Sequence, residues 1–337
     1  VCRFPACPVE RGFSRFFSFL LRRDREEEVR KFDERDTIFS RLELIPGTVS
    51  YDEYYARHPE KRQVDDGFRE TGAEFADHIP LRLLTESTFR LLADIRPLAR
   101  GSASPGKTMI SPETATATLK SCAESYGAVL FGIAPLGDIC FYSTRGRGSE
   151  YGTPVQVPGK QGIVFAVRMN PVSIASAPAP EEAAEVVNGY TRVAVIGLVL
   201  SYCIRGWGWE AACTMDGRAD LVLPVAARYA GLGSIGRSGL LLTREYGPCV
   251  RLGAVVTDMP LQRTEAMVSA SSLPCETCNL CAQKCPANAI DDRLGRKFRF
   301  RPVNDEACYS QWKRMGTDCG ICVARCPLSG IPSGRFD

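Results

Sequence analysis

"CETCNLCAQKCP", residues 275–286, sets four cysteines in eleven residues and closes on a proline. The spacing is Cys275-x2-Cys278-x2-Cys281-x3-Cys285-Pro286. Two-cluster ferredoxins use this run, and its fourth cysteine serves the other cluster. Short gaps let three thiolates converge on three irons of one cubane. The proline then turns the chain away. A second run, "CGICVARCP" at 319–327, nearly repeats the first. With Cys308 it reads Cys308-x10-Cys319-x2-Cys322-x3-Cys326-Pro327. Eight cysteines make two sets of four, enough for two 4Fe-4S clusters. Crossing over gives Cys275, Cys278, Cys281 and Cys326 to one. Cys308, Cys319, Cys322 and Cys285 then hold the other. CxxC pairs also make zinc ribbons, but zinc sites rarely use CxxCxxCxxxCP twice. Residues 265–337 therefore read as a small module, ferredoxin-like, whose fold depends on its inorganic cofactor.

Upstream, helical and strand patterns alternate. "SPETATATLKSCAESYG" opens with Ser-Pro-Glu, a helix N-terminus. "AVLFGIAP" at 128–135, "GIVFAVRM" at 162–169 and "VRLGAVVTD" at 250–258 are short apolar strands. "APEEAAEVVNGYTRVAVIGLVLSYCIRGWGW" is a long helix that stops at glycines, and "LPVAARYAGLG" is a shorter one. Helices interleaved with strands give an α/β class for residues 109–264. Residues 1–108 are charge-rich and irregular. They look like an extension wrapped on the core, with "ARGSASPGKT" at 99–108 as a turn-rich boundary.

The bulk numbers narrow the function. The chain has 337 residues and a net charge of only +3. Nothing in that balance points to nucleic acid or an acidic membrane surface. No apolar run reaches the roughly 18 residues of a membrane helix. "FSRFFSFLLRRDREEE" at 13–28 carries its arginines after the apolar segment, the reverse of an export signal, and reads as a mildly amphipathic helix docked on the core. A cytoplasmic location is the expectation. Fifteen cysteines are too many and too clustered for a disulfide framework. The seven outside the two runs (Cys2, Cys7, Cys122, Cys140, Cys203, Cys213, Cys249) read as small buried hydrophobes in a reducing compartment.

Two linked clusters form a wire, and a wire needs a terminus. "GLGSIG" at 231–236 matches GxGxxG, yet a helix-like "VAARYA" precedes it where a dinucleotide fingerprint needs a strand. Its glycines can still bring backbone close to a bound phosphate or sugar.

"GIAP" at 132–135 followed by "FYSTRG" at 141–146 resembles the corrinoid-binding core of reductive dehalogenases. So does "AGLGSIGRSGLLLTREYGPCVRLGAVVTDMPL" at 230–261, which runs directly into the double cysteine motif. The similarity covers about 115–330, and epoxyqueuosine reductase shares the same plan. The resemblance implies an α+β nitroreductase-like core holding cobalamin base-off, with the ferredoxin-like module packed against it. Gly231, Gly233, Ser234, Gly236, Tyr142 and Ser143 would contact the corrinoid. The only histidines, His58 and His78, lie in the N-terminal extension, and no DxHxxG ligand motif occurs.

The resemblance also implies a reaction: removal of halide from an organohalide, with two electrons and one proton supplied. The family's proton donor, a tyrosine after a P-x-S stretch, falls on Tyr190. Phenols ionise near pKa 10, so one serves as an acid at neutral pH only where a cation stabilises its phenolate. The family's arginine after the "YGP" turn falls on Arg251. A further polar position of the family falls on Met215, which cannot usefully hydrogen-bond a phenolate. The expected partners are a small organohalide and an external electron donor such as a ferredoxin, flavodoxin or reductase. Two alternatives stand beside this: an epoxyqueuosine-reductase-like enzyme acting on tRNA, and a non-catalytic electron-transfer protein that activates other corrinoid proteins.

Overall fold

The computed structural model describes residues 31–70, 79–265, 275, 277–291 and 303–331. The amphipathic helix expected over 13–28, together with Cys2, Cys7 and His78, lies outside the described residues.

Three helices come first: α1 (Ile38–Leu42), α2 (Val49–Arg57) and α3 (Pro59–Glu70). Thr37 and Thr48 start the first two, each hydroxyl accepting an N–H of the opening turn. Tyr51, Tyr54 and Tyr55 are buried, and the Arg41 guanidinium grips Asp65 through two hydrogen bonds of 3.0 and 2.8 Å. A buried arginine is tolerable here because its carboxylate meets it in a fork. Next comes α4 (Ile79–Ile95), then α5 (Pro112–Ser125), capped by the Ser111 hydroxyl with proline in the first turn.

The core runs β1 (Leu130–Pro135), β2 (Gln161–Arg168), α6 (Pro171–Ala175), α7 (Pro180–Gly206), β3 (Ala211–Thr214), α8 (Leu223–Tyr229), β4 (Ser234–Ile235), β5 (Leu241–Leu242) and β6 (Val250–Thr257). One sheet has the order β1-β2-β6-β3, every pairing antiparallel, and β4 pairs with β5 as a separate hairpin. The chain is thus a mixed helix-and-sheet protein of the α+β kind. Side chains alternate across the strands. Ile163, Phe165, Val167 and Val255 pack with α5 and α7 on one face, while Val164, Ala166, Ala254 and Val256 pack with α8 on the other. Both faces are covered, which is why these strands read as unbroken apolar runs. Fully burying one such residue, Phe165 for example, contributes roughly 1.5–3 kcal/mol.

Helix α7 has 27 residues. Here the expectation that nothing could span a bilayer needs correction, because in helical form α7 is long and apolar enough. More than half of its most apolar stretch is nevertheless buried within the protein, between α4, α5 and the sheet.

The C-terminal elements are short: α9 (Leu280–Gln283), α10 (Asp305–Met315) and α11 (Ile321–Ala324). The N-terminal block docks on α10. Arg41 and Lys61 both reach Glu306, at 2.9 and 2.8 Å. Phe39 and Phe68 meet the Tyr309 ring edge-on, at 6.0 and 5.2 Å between centroids. Residues 31–70 therefore brace the helix that carries Cys308.

Candidate active site

The register of the sheet delivers Arg251. It lies on β6 opposite Val167 of β2. Strand alternation places it, like Val255, on the α7 side of the sheet. Gly189 of α7 lets the arginine stem lie against the helix, since a Cβ there would come within 3.1 Å of Arg251 Cβ. One residue on, Tyr190 turns its ring under the guanidinium. The Arg251 Cζ stands 4.3 Å from the ring centroid, a cation–π contact. Among the described residues no hydrogen bond engages the Tyr190 hydroxyl; the ring also meets the Phe89 ring at 6.3 Å. Met215 belongs to the apolar cluster on which Tyr190 packs, together with Leu92, Ala194 and Cys213.

Two acidic groups at this site were not legible in the sequence. Glu182 sits two turns before Tyr190 on α7 and is 1% exposed. Burial first, then the charge of Asp318, pushes its pKa up to about 8, while Arg251 draws it back down. Asp318 is likewise raised by burial and opposed by Arg251, and its carboxylate accepts the N–H groups of Cys319 and Gly320. Gly320 has a φ of +54°, and a Cβ there would strike the Glu182 carboxylate. A glycine is required at this point, both for the turn and for the approach. The start of α7 is thereby pressed against the loop that carries Cys319. The sequence signal was only an acidic pair in the first turn of a helix, which ordinarily does no more than complement the dipole.

The raised pKa has a thermodynamic consequence. Between about pH 4.5 and about pH 8 folded Glu182 holds a proton that the unfolded chain has released. Its contribution to stability is present in full below that window and is lost as pH rises through it. Glu182→Gln removes the titration. The melting temperature of this variant, measured against the parent from pH 5 to pH 8.5, is expected to rise relative to the parent as pH increases. A difference that stays constant with pH would refute the assignment.

The described cysteines are free thiols. Burial pushes Cys308 up to about 12 and Cys326 up to about 11. Neighbouring thiols add to this, and they follow the crossed pattern. Cys326 feels Cys275, Cys278 and Cys281. Cys308 feels Cys319 and Cys285. Cys322, raised by burial, feels Cys308, Cys319 and also Cys281, so the two sets adjoin. Among the described residues no three metal-binding side chains close on one point fit for a single ion. A cubane takes one thiolate on each of four irons, so its donors ring a cage instead. Donor chemistry and grouping both suit such clusters.

Arg237 is a further residue that sequence reasoning missed. It is 5% exposed and donates to the carbonyls of Cys275 (2.6 Å), Cys278 (3.2 Å) and Asp291 (3.4 Å). It ties the β4–β5 hairpin to the first cysteine run. The "YGP" turn makes a second tie. Gly247 has a φ of +52°, and the Leu328 carbonyl fills the space a Cβ would need.

The remaining candidates also have places in the fold. Gly231 takes φ +76° just after α8, and Gly233 and Gly236 pack closely against Leu242 within the hairpin that begins at Ser234. The helix before them and the hairpin after them agree with a reading that is not a dinucleotide fold. Tyr142 donates its N–H to the Asp220 carbonyl, and Ser143 donates its own to the Phe32 carbonyl. His58 stacks on Tyr54 at 4.7 Å and faces Asp36 and Glu60. The described histidine is therefore engaged elsewhere. The Tyr190 hydroxyl, without a hydrogen bond to the described residues, and the buried, unpartnered Arg251 Nε are polar atoms that a bound group could meet. The scattered Cys140, Cys213 and Cys249 are buried and their thiols are raised by it, as expected of inert core cysteines. A cavity of about 560 Å³ opens along α5, lined by Ala117, Thr118, Ser121, Cys122 and Ser125. All five come from one helix, and no described residue of a second element joins them.

Comparison with known proteins bears on these residues. No family model matches the chain. The tetrachloroethene reductive dehalogenase of Sulfurospirillum multivorans is 33% identical over 178 residues, covering 50% of this chain and 35% of that protein. Its counterpart from Desulfitobacterium hafniense is 29% identical over 280 residues, 67% of this chain and 50% of that one. Epoxyqueuosine reductase of Lactococcus garvieae is 33% identical over 128 residues, 35% of each chain. The chain thus spans about half, or less, of the length of these relatives. Among solved structures, a catabolic reductive dehalogenase in complex with 3-bromo-4-hydroxybenzoic acid superposes with a TM-score of 0.69 at 19% identity, over 90% of this chain and 42% of that one. Another reductive dehalogenase, described for B12-dependent dehalogenation, gives 0.63 at 20% identity, over 73% and 37%. At such identities these two speak for a shared fold.

Proposed function

From the premise that this chain is a relative of the reductive dehalogenases in sequence and in fold, we propose that it removes halide from an organohalide. The observation that carries the proposal is the Tyr190 ring held 4.3 Å beneath the Arg251 guanidinium with its hydroxyl unengaged. The α+β core is read as a nitroreductase-like corrinoid domain and the C-terminal segment as a ferredoxin-like module with two 4Fe-4S clusters. When bound, the corrinoid supplies low-valent cobalt able to break a carbon–halogen bond, and the clusters supply electrons one at a time.

The net reaction takes an organohalide, two electrons and one proton to the hydrocarbon and halide. The protein's own part is the proton. Tyr190 Oη–H gives it to carbon, and Arg251 stabilises the phenolate left behind. The buried Glu182 and Asp318 lie within electrostatic reach of that arginine. Residues 231–236 with Tyr142 and Ser143 are the proposed corrinoid contacts, and the electron donor is a separate small redox protein.

Anaerobic reconstitution with cobalamin, iron and sulfide, followed by a halide-release screen under reducing conditions, tests this. Halide release is expected. Protein that reduces other corrinoid proteins but frees no halide would instead be an electron carrier. The 128-residue likeness to epoxyqueuosine reductase favours tRNA as a second substrate class. Salt-dependent retention of tRNA on filters would mark that alternative.

A further inference from the structure

Resting on the reading of two 4Fe-4S clusters, we infer that Arg237 raises the reduction potential of one of them, the cluster on Cys275, Cys278 and Cys281, with a smaller effect on the other. The observation is a buried cation bound to the main chain of the ligand segment. Arg237 is 5% exposed and stands in the turn between β4 and β5. Backbone hydrogen bonds fix that turn: Gly236 donates its N–H to the Leu240 carbonyl, and Gly239 donates its own to the Gly236 carbonyl. From there the guanidinium donates to the carbonyls of Cys275 at 2.6 Å, Cys278 at 3.2 Å and Asp291 at 3.4 Å. Two of these acceptors belong to the cysteines themselves, so the cation is held at the cluster segment.

A guanidinium is always charged, and burying it is costly unless its donors are met. Carbonyls meet the donors without cancelling the charge. Four thiolates leave a cubane negative overall, and reduction adds one electron from an external donor, with no bond made or broken. A fixed cation nearby favours the reduced state and so raises the potential. The thiols register the same charge. Burial first, then Cys275, raises the Cys281 thiol, and Arg237 draws it back down. Cys308, Cys319 and Cys322 are raised by burial and feel the charge of Asp318 as well. The two sets therefore lie in unlike fields, and Arg237 is a positioning and tuning residue for the first.

The test is a redox titration of reconstituted parent, Arg237→Gln and Arg237→Lys, poised with dithionite and mediator dyes and read by electron paramagnetic resonance. In Arg237→Gln one cluster should become at least about tenfold harder to reduce, a fall of about 59 mV for a one-electron couple. The other should move less than half as far. Lysine keeps the charge and gives up the fork, so Arg237→Lys should restore at least half of the shift. The signal that moves should be the one that Cys278→Ala abolishes. Should Arg237→Gln fail to hold the first cluster, Arg237→Lys still decides, because a tenfold fall in that variant would overturn the inference. Unmoved potentials in an Arg237→Gln protein with the parent's iron content, or an equal shift of both clusters, would overturn it too. A parent that takes up zinc and no iron would overturn the cluster reading itself, a result distinct from iron-loaded protein whose potentials ignore residue 237.

Discussion

Tyr190→Phe is expected to lower halide release by about 10²–10⁴-fold, the range lost when a positioned general acid is removed. The substitution deletes one hydroxyl and little else. The phenylalanine ring keeps its place beneath Arg251 at 4.3 Å, its contact with Phe89, and its packing on Leu92 and Ala194. Tyr190 Oη makes no hydrogen bond to the described residues, so no buried partner is orphaned. Folding, iron content and cobalamin binding should therefore match the parent. The loss should fall on kcat with little change in KM, because the proton moves only as the carbon–halogen bond breaks. Full activity in this variant would remove Tyr190 as the donor. A loss accompanied by missing cobalamin would assign it a structural role instead.

The second large effect concerns which cysteines belong together. Under the crossed assignment Cys326 serves the cluster of Cys275, Cys278 and Cys281. Cys326→Ala should reduce iron from about eight to about four per chain and stop turnover, since the wire is cut. A pair of double variants separates the assignments. Cys326→Ala with Cys278→Ala should cost no more iron than either alone. Cys326→Ala with Cys322→Ala should lose both clusters. Two sets taken in sequence order, 275–285 and 308–326, predict the opposite. The grouping of the thiols supports the crossed version, because Cys326 lies within electrostatic reach of the first three cysteines and Cys285 within reach of Cys308 and Cys319. If the Cys326–Cys278 pair empties both clusters, the crossing is wrong.

Much of this architecture could be read in advance because its signals are local. Strands β1, β2 and β6 are runs of six to eight mostly apolar residues bounded by glycine, proline or charge. Helix α5 announces itself through Ser111, whose hydroxyl caps Thr114. Strand β3 escaped notice because four residues carry no measurable period. It exists because Ala211 to Thr214 pair with β6. The β4–β5 hairpin was read as part of a glycine motif for the same reason. Likewise, Arg237 is one arginine among many until its guanidinium is seen holding three carbonyls of the cysteine segment.

The amino-acid order alone determined the two cysteine runs, the alternation of helix and strand, and the candidacy of Tyr190 and Arg251. The first two are governed by spacings of a few residues, which fix geometry without help from distant parts of the chain. The last came from likeness to a known family. Only the tertiary structure decided that Arg251 lies over Tyr190, since that depends on the β2–β6 register and on a glycine at 189. It alone brought Glu182 and Asp318, 136 residues apart in sequence, within electrostatic reach of that arginine. It alone set residues 31–70 against the helix of Cys308. Burial is a property of the folded whole, so a carboxyl that becomes proton-retaining through burial carries no mark of it in its own stretch of sequence.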